Sequence, residues 1–274
     1  MSSIRRKCIV CQRKYRASKF LCGNCLANPF RVEELRNLLA ENKNDKAFTS
    51  IYSDKYTEIK NINTPSFWDE KWSQTESLRF QDGMTKDRIQ AVAKHIENAN
   101  LKILDIAAGY GFLEEAIRDK EKLSVYANDF SKESIMILKK MFIGNFKKKS
   151  VYKLDYPKNF FDIIAILEVA EHIPPSRILQ VFRQINKIMK KGGILIVSVP
   201  LNEELDEMKD NPNGHVRAYT PAIIERELTV SGFDVKYESI FYAFRNFYKL
   251  KKTIAKIFKN KWKPNNLIIK SIKL

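Results

Sequence analysis

The chain has 274 residues, of which 44% are apolar, enough for one large domain or for a domain with a small appendage. This composition excludes a collagen-like or wholly disordered chain, and no stretch approaches the roughly eighteen apolar residues of a membrane-spanning helix. The basic first thirty residues also lack the apolar core of a signal peptide, so we expect a soluble, cytoplasmic protein.

The net charge of +17 is concentrated at the two ends of the chain. Residues 1–31 contain eight Lys and Arg, residues 241–274 contain ten, and neither segment contains an acidic residue. The intervening segment has 31 basic and 32 acidic residues and is nearly neutral. Two basic appendages around an ordinary domain are therefore predicted, and the charge by itself is weak evidence for nucleic-acid binding.

All four cysteines lie near the N-terminus with the spacing C-x2-C-x10-C-x2-C. They are Cys8, Cys11, Cys22 and Cys25. Each C-x2-C pair can direct two thiolates to one metal, and two pairs complete a tetrahedral site. We therefore predict that residues 1–30 form a four-cysteine module that binds structural Zn2+. Disulfides are the alternative, which a reducing cytoplasm disfavours.

The zinc is expected to fold this end of the chain, because about thirty residues cannot bury a sufficient core unaided. Four thiolate ligands leave no open position for a substrate, which argues against catalysis by this metal. Basic and aromatic residues between the cysteine pairs, such as Arg13, Tyr15 and Lys19, leave phosphate binding open as a second role.

Residues 31–85 are predicted to be a linker that leads into a short helical cover. The stretch TPSFWDEKWSQ carries Phe67, Trp68 and Trp72 close together. These rings either form a lid over an acceptor site or pack in the core, and the residue types alone do not decide between the two.

Beyond residue 100, short apolar runs alternate with helix-length amphipathic segments. This alternation predicts an α/β, Rossmann-like fold: a seven-stranded, mostly parallel sheet with helices on both faces. The predicted strands are 101–106, 123–128, 151–154, 160–167, 193–199, 233–240 and 266–272. The predicted helices are 86–98, 112–119, 131–142, 176–190 and 220–231.

Ligands of such sheets bind beyond the carboxyl ends of the strands, so the polar residues at these ends are candidates for a site. Asp105 ends the first strand and is followed by Gly109 and Gly111, which let the backbone approach a ligand closely. Asn128 and Asp129 end the next strand, where an acid can accept both hydroxyls of a ribose.

Two further strand ends carry acidic residues. Asp155 follows the third predicted strand and is available to the amino group of an adenine. Glu168, Glu171 and His172 follow the fourth strand. The sequence therefore predicts a site that four consecutive strands share.

Five motifs follow one another between residues 80 and 240. LDIAAGYG resembles a D-x-G-x-G-x-G loop, VYANDFS a V-x-G-x-D-x-S strand end, and LEVAEHI an E-V-L-E-H-I segment. KKGGILIVSVP and HVRAYTPAIIERELTVSGFDV come next along the chain. In this order the motifs resemble those of the class I S-adenosylmethionine-dependent methyltransferases, in particular their small-molecule, type 11-like branch.

The resemblance implies a methyltransferase domain over residues 86–274, with S-adenosyl-L-methionine as cofactor. The positions implied for the cofactor site are Asp105, Ala107, Gly109, Gly111, Asp129, Phe130, Asp155, Tyr156 and Glu168. Ala107 departs from the pattern, because the family usually has glycine there. We expect its methyl group to be tolerated provided that the backbone keeps an ordinary conformation, so that the loop still binds the cofactor.

His172 and His215 are the candidate catalytic residues. Methyl transfer from a sulfonium requires no metal, so the protein mainly positions the acceptor and removes its proton. His172 ends the fourth strand near the expected sulfonium, and small-molecule members of the family sometimes use a histidine in this region. His215 lies in a Gly- and Pro-marked loop after the fifth strand. For each histidine the alternative is a loop residue without a catalytic role.

Residues 241–265 intervene where the family usually joins its last two strands by a tight hairpin. A helical wheel gives this insertion a lysine-rich face and an apolar face of Phe247, Leu250, Ile254, Ile257 and Phe258. The insertion should lie on the rim where the cofactor binds. Its pattern favours contact with a membrane surface or an anionic partner, and the alternative is a helix packed on the domain with its lysines in water.

The sequence thus predicts a methyltransferase that acts on a small-molecule or lipid-linked acceptor, such as a sugar or an isoprenoid-attached hydroxyl. One alternative is an RNA methyltransferase that uses the zinc module and the basic ends to grip phosphate, although the N-P-P-Y type motif of many base-amine methyltransferases is absent. Another alternative is an adaptor that keeps the fold without the activity, which the change at Ala107 permits.

Overall fold

The structure, a computed structural model, describes most of the chain from residue 61 onward. The described residues are 5–7, 14–16, 61–74, 83–97, 99–203, 213–244, 246–258 and 262–274. The predicted zinc ligands Cys8, Cys11, Cys22 and Cys25 lie outside these residues. None of the described helices has the length and apolar character of a bilayer span.

Strands and helices alternate along the chain, as the apolar runs predict. The strands are β1 (Arg5–Lys7), β2 (Lys14–Arg16), β3 (Leu101–Ile106), β4 (Leu123–Asp129), β5 (Asn145–Lys148), β6 (Phe161–Leu167), β7 (Met189–Pro200), β8 (Phe233–Phe241) and β9 (Asn266–Lys273). The helices are α1 (Pro65–Gln74), α2 (Gly83–Ala93), α3 (Phe112–Ile117), α4 (Lys132–Met141), α5 (Pro175–Ile188), α6 (Pro221–Thr229) and α7 (Tyr248–Ile257).

β3 to β9 form one seven-stranded sheet with the order β5-β4-β3-β6-β7-β9-β8. The pairs among β5, β4, β3, β6 and β7 are parallel, whereas β9 runs antiparallel to both β7 and β8. The prediction of an α/β, mostly parallel sheet with crossover helices is confirmed. The parallel strands place their carboxyl ends at one edge, which is the edge that carries the predicted site.

One predicted strand is wrong. Residues 151–154 form a turn and an irregular segment, and the edge strand is β5 instead, at Asn145–Lys148. Only Phe146 of β5 is buried, since an edge strand that pairs with β4 alone needs little apolar surface. Tyr152, which suggested a strand, packs beneath the Arg177 guanidinium at 3.4 Å instead. The prediction from side-chain type therefore placed the edge strand a few residues too far along the chain.

Helices cover both faces of the sheet. Alternate residues of each central strand point to opposite faces, so Leu104 and Ile164 pack with α5 and α6, while Ile103 and Ile163 pack with α2 and α3. Both clusters are almost fully buried. The central strands are apolar on both faces for this reason, which is what parallel sheets with crossover helices require.

The insertion between β8 and β9 is closed at its base. The Asn265 amide donates to the Phe241 carbonyl at 2.8 Å, and the Ala243 amide donates to the Asn265 side chain at 2.9 Å. The two ends of residues 242–265 therefore meet at the sheet.

α7, within this insertion, contacts α2 through its polar side. The Tyr248 hydroxyl donates to the Asp87 carboxylate at 2.6 Å, and the Lys252 ammonium pairs with the same carboxylate. Ala255 is buried on this side. The lysine-rich face is therefore turned partly toward the domain, because Lys252 pairs with Asp87 on α2. The predicted apolar face is largely exposed, at Phe247 (78%), Leu250 (61%), Ile257 (70%) and Phe258 (58%).

Candidate active site

A cavity of about 340 Å³ lies at the carboxyl ends of β3, β4 and β6. The loops after these strands, the helices α1 and α2 and the segment around residues 213–215 form its walls. The sequence-predicted residues that line it are Asp105, Ala107, Gly109, Asp129, Phe130, Glu168, His172 and His215. The motif residues therefore meet at one edge of the sheet and share one cavity.

The loop between β3 and α3 depends on two glycines with left-handed backbone conformations. Gly109 has φ +54° and lines the cavity, and a Cβ atom there would lie 3.0 Å from the Trp72 ring. Gly111 has φ +74°, and a Cβ atom there would come within 2.6 Å of Phe142 and 2.8 Å of Leu138. Gly111 is not among the lining residues, so its missing side chain serves the packing of α4 against the loop.

Ala107, the residue that departs from the family pattern, also has a left-handed conformation, with φ +57°. The condition under which its methyl group was expected to be tolerated, an ordinary backbone conformation, is therefore not met. A non-glycine residue in this region carries a strain of about 1–2 kcal/mol because its Cβ crowds the following carbonyl oxygen. The loop keeps the path that the family's glycine allows, and Ala107 bears the strain.

We expect Ala107→Gly to stabilise the protein by about 0.5–1 kcal/mol, since relief of the strain outweighs the greater freedom of glycine in the unfolded chain. Urea unfolding of the full chain measures the effect. The matched control is Ala108→Gly, at a neighbour without a positive φ, which should lower stability by a similar amount. Equal destabilisation by both changes would contradict the assignment of strain to Ala107.

Three carboxyl groups are buried beside this loop, those of Asp105, Glu114 and Asp129. Burial raises the pKa of Asp105 well above its usual value, and the negative charges of the other two add to the effect. Burial also raises the pKa of Glu114 to about 7 and that of Asp129, against the hydrogen bonds that Asp129 accepts. A cationic ligand in the cavity would relieve this accumulation of negative charge.

Asp129 is held in place by two backbone amides. Its Oδ2 accepts from the Gly109 amide at 3.0 Å, and its Oδ1 accepts from the Ser131 amide at 2.8 Å. The carboxylate also lines the cavity, where it can accept from a ligand hydroxyl. The ribose hydroxyls of S-adenosylmethionine match the acceptor oxygens of this wall, and its sulfonium and ammonium cations match the charge.

The residues after β5 differ from the prediction. Asp155 is exposed, pairs with the Lys149 ammonium and does not line the cavity, so its position does not suit contact with an adenine. Tyr156 likewise does not line the cavity and packs edge-on against Phe161, with ring centroids 5.0 Å apart. The cavity wall on this side is formed by residues 149–152 instead. The lining residues come earlier in the sequence than predicted because the edge strand β5 ends at Lys148.

Glu168 lines the cavity, but its carboxylate already forms an ion pair and hydrogen bonds with other side chains. Arg88 forms an ion pair with it at 2.7 Å, the Ser198 hydroxyl donates to it at 2.8 Å, and the Asn266 amide donates to both oxygens at 2.9 and 2.8 Å. This network joins α2, β6, β7 and β9 beneath the cavity. Glu168 is therefore placed to support the site, and a contact with cofactor is not evident from its geometry.

His172 and His215 meet at the other end of the cavity, with ring centroids 4.9 Å apart. The Nδ1 atom of His172 lies 3.2 Å from the Gly214 carbonyl, and the Nδ1 atom of His215 lies 2.7 Å from Glu203 Oε1. Burial, with a contribution from His215, lowers the pKa of His172 to about 3. An imidazole with so low a pKa takes up a proton poorly at neutral pH, which disfavours His172 as the general base.

α1 covers the cavity. Trp68 and Trp72 line it, and the Trp68 ring lies 5.0 Å from the His172 ring. Asp69 attaches α1 to the start of α4, because its Oδ1 accepts from the Ser131 hydroxyl at 2.6 Å and from the Lys132 amide at 2.7 Å. The aromatic residues of the predicted cover therefore form a wall of the site and also pack on the domain.

Sequence reasoning missed the supporting residues of the site. Arg88, Glu203 and Asp69 act through partners more than ten residues away, and no local pattern marks them. Glu171 stands in the LEVAEHI motif but received no role, although it lies beside both histidines and is 1% exposed.

Comparisons with known proteins agree with this geometry. A family model described as a methyltransferase domain matches residues 75–238. An uncharacterized protein of Methanocaldococcus jannaschii is 23% identical over 214 residues, which cover 72% of this chain and 89% of the relative.

Two solved structures show the same fold at low identity. A SAM-dependent methyltransferase from Archaeoglobus fulgidus has a TM-score of 0.57 and 17% identity, with 77% of this chain and 100% of that chain covered. A chain of the complex between the Haloferax volcanii Trm112 methyltransferase activator and its methyltransferase has a TM-score of 0.60 and 13% identity, with 78% and 99% covered. Because the family model spans more than half of the sequence, the chain belongs to the methyltransferase domain family and is a methyltransferase.

Proposed function

We propose that this methyltransferase modifies an oxygen of a small or lipid-linked acceptor, which enters the cavity at its histidine end. The cofactor supplies a methyl group on a sulfonium, whose thioether leaves as the acceptor oxygen attacks. The observation that carries the lipid-linked choice is the exposed apolar face of α7, which adjoins the cavity through α2. Sugars and isoprenoid-attached hydroxyls are acceptors of this class.

The cofactor is assigned to the wall formed by the β3 and β4 ends. Asp129 would accept the ribose hydroxyls, and the Gly109 backbone lines the same wall. Asp105 would face the cationic part of the cofactor, and Phe130 offers apolar surface on the same wall. Ala107 completes the loop. Support for this assignment comes from the shared cavity and from the buried negative charge.

The acceptor is assigned to the end of the cavity between α1 and the two histidines. Trp68 offers aromatic surface there, and His172 and His215 offer ring nitrogens. An acceptor bound between them would stand in line with a methyl group presented from the cofactor wall. Its position excludes water from the reacting atoms, which favours methyl transfer over hydrolysis.

The acceptor is proposed to reach this site from an anionic lipid surface, which α7 contacts. Four large apolar side chains are exposed on one helix and its ends, where exposed apolar surface usually marks an interaction site. Ten Lys and Arg and no acidic residue in residues 241–274 give the complementary charge. Insertion of the apolar face into the headgroup region would bring the cavity-lining α2 close to the lipid.

We expect the full chain to co-sediment with vesicles that contain phosphatidylglycerol, and Leu250→Glu to weaken this binding at least tenfold, since burial of one Leu side chain is worth about 1.5–3 kcal/mol. The matched control is Met136→Glu on α4, a side chain of similar exposure away from α7. Binding that both variants weaken equally, or salt-sensitive binding of RNA in place of vesicles, would overturn the lipid assignment. Transfer of a labelled methyl group to a lipid extract by the same protein tests the acceptor class itself.

The N-terminal residues are proposed to form a structural zinc module. β1 and β2 pair antiparallel with Lys7 opposite Lys14, so that Cys8 and Cys11 fall in the connection between two paired strands. The spacing of this pair is typical of zinc modules, and Cys22 and Cys25 would complete the ligand set.

We expect purified wild-type protein to carry about one zinc ion per chain and Cys22→Ser to lose it, because three thiolates hold the metal far less tightly than four. The thermal unfolding of the central domain should be unchanged. Ser18→Ala, between the two cysteine pairs, is the control and should keep its zinc. Full zinc content in Cys22→Ser, measured by elemental analysis, would contradict the assignment.

A further inference from the structure

The acceptor end of the cavity contains a cluster of two imidazoles and one carboxylate. Glu171, His172 and His215 each offer a ligand atom, and these atoms lie within 4.8 Å of one another. All three residues line the cavity. Three atoms that each lie roughly 2.1 Å from one metal are about 3.4 Å apart in tetrahedral geometry, so the three side chains need to close by up to about 1.4 Å.

Both imidazoles are oriented as metal ligands usually are. The Nδ1 atom of His172 faces the Gly214 carbonyl at 3.2 Å, and the Nδ1 atom of His215 faces the Glu203 carboxylate at 2.7 Å. These acceptors favour the tautomer with hydrogen on Nδ1, which leaves the Nε2 lone pair of each ring for a cation. A carbonyl and a carboxylate are the common outer partners of metal-binding histidines.

Glu171 supplies the second, independent observation. Its side chain is 1% exposed, and within the described part of the chain neither carboxylate oxygen has a hydrogen-bond partner. The His172 Nε2 atom is 3.9 Å from Glu171 Oε1, beyond hydrogen-bond distance. A buried carboxyl group without a partner is costly, and a bound cation would remove this cost.

We propose that Glu171, His172 and His215 bind one divalent cation that activates the acceptor oxygen in the reaction proposed above. Three protein ligands leave coordination positions open, as in catalytic rather than structural sites. Two imidazoles and one carboxylate suit Mn2+, Fe2+ or Zn2+. The open positions fit an acceptor with a hydroxyl and a neighbouring oxygen, which would bind as a chelate.

The bound cation accounts for the loss of the proton from the acceptor hydroxyl. Coordination lowers the pKa of the acceptor hydroxyl, whose proton passes to water at the cavity mouth. The resulting oxyanion forms the new oxygen–carbon bond, the carbon–sulfur bond of the cofactor breaks, and its electron pair stays on sulfur. This arrangement needs no protein side chain as general base, so the metal takes the role first assigned to a histidine.

Titration of the chelator-treated full chain with Mn2+, followed by electron paramagnetic resonance, tests the proposal. Mn2+ prefers oxygen and nitrogen ligands, so the cysteines compete weakly for it. We expect one bound Mn2+ per chain, and Glu171→Gln and His215→Gln each to weaken its binding at least tenfold. His95→Gln, at a histidine that does not line the cavity, is the control and should bind as the wild type does.

Calorimetric titration with S-adenosylhomocysteine separates this proposal from the proposed function. Retained cofactor binding with no Mn2+ uptake, or with equal uptake in Glu171→Gln, would overturn the metal site alone. Loss of cofactor binding in the wild-type chain would instead refute the proposed function. If Glu171→Gln fails to fold, His215→Gln decides the matter, because that ring is partly exposed at the cavity wall.

Discussion

Asp129→Ala is expected to abolish measurable binding of S-adenosylhomocysteine. The change removes both acceptor oxygens proposed for the ribose hydroxyls, and hydrogen bonds to a charged acceptor are worth about 1.5–3 kcal/mol each. The affinity should therefore fall at least a hundredfold in calorimetric titration. The Gly109 and Ser131 amides also lose their acceptor, which loosens the loop that faces the cofactor.

Asp155→Ala is the informative control for this prediction. The sequence offered Asp155 as a second cofactor contact, whereas the structure places it on the surface beside Lys149. We expect this variant to bind S-adenosylhomocysteine as the wild type does. Unchanged affinity in Asp129→Ala, or an equal loss in both variants, would show that the cofactor lies elsewhere. Circular dichroism checks that each variant is folded.

The second large effect is expected for Arg217→Met, which should lower the free energy of unfolding by about 3–5 kcal/mol. Arg217 and Glu227 form an ion pair whose side chains are both fully buried, and the Tyr219 hydroxyl donates to Glu227 at 3.1 Å. Removing the guanidinium leaves a buried carboxylate without its cation. Arg217 also adjoins the segment that presents His215. In this segment the Val216 amide donates a hydrogen bond to the Glu171 carbonyl at 2.9 Å.

Two further variants make this prediction specific. Lys236→Met breaks an exposed ion pair with Asp234 and should change stability by less than about 1 kcal/mol. The double change Arg217→Met and Glu227→Met removes both charges and should recover most of the loss. A loss below about 1 kcal/mol in Arg217→Met, or no recovery in the double variant, would contradict the role of the buried pair. Urea unfolding measures all three.

The elements that the sequence predicted well are those whose signals are local. The central strands β3 and β6 are rich in apolar residues that point to opposite faces, because both of their faces are buried. Asp105, Gly109 and Asp129 stand at strand ends in recognisable motifs. Since parallel strands bring their carboxyl ends to one edge, these local signals were sufficient to locate the cavity.

What the sequence missed depends on contacts between distant residues. β5 is an edge strand with one buried side chain, so its apolar signal is weak. The orientation of α7 is decided by Asp87 on α2, more than 150 residues away, and a helical wheel considers the helix alone. The left-handed conformation of Ala107 is likewise set by the path of the chain from β3 to α3. Alanine rarely adopts this conformation, so the residue type does not indicate it.

The hydrogen bond between the Asn265 amide and the Phe241 carbonyl, which closes the insertion at its base, has a consequence for how this enzyme can diversify. The strands on either side of residues 242–265 are fixed by their own pairing, so the ends of the segment stay together whatever lies between them. Doubling the length of such a closed loop costs only about 0.6 kcal/mol of chain entropy. Homologues can therefore exchange or shorten this segment as a cassette while the cofactor half of the domain is inherited unchanged. Grafting it onto a related enzyme is a route to redirect that enzyme toward a new acceptor.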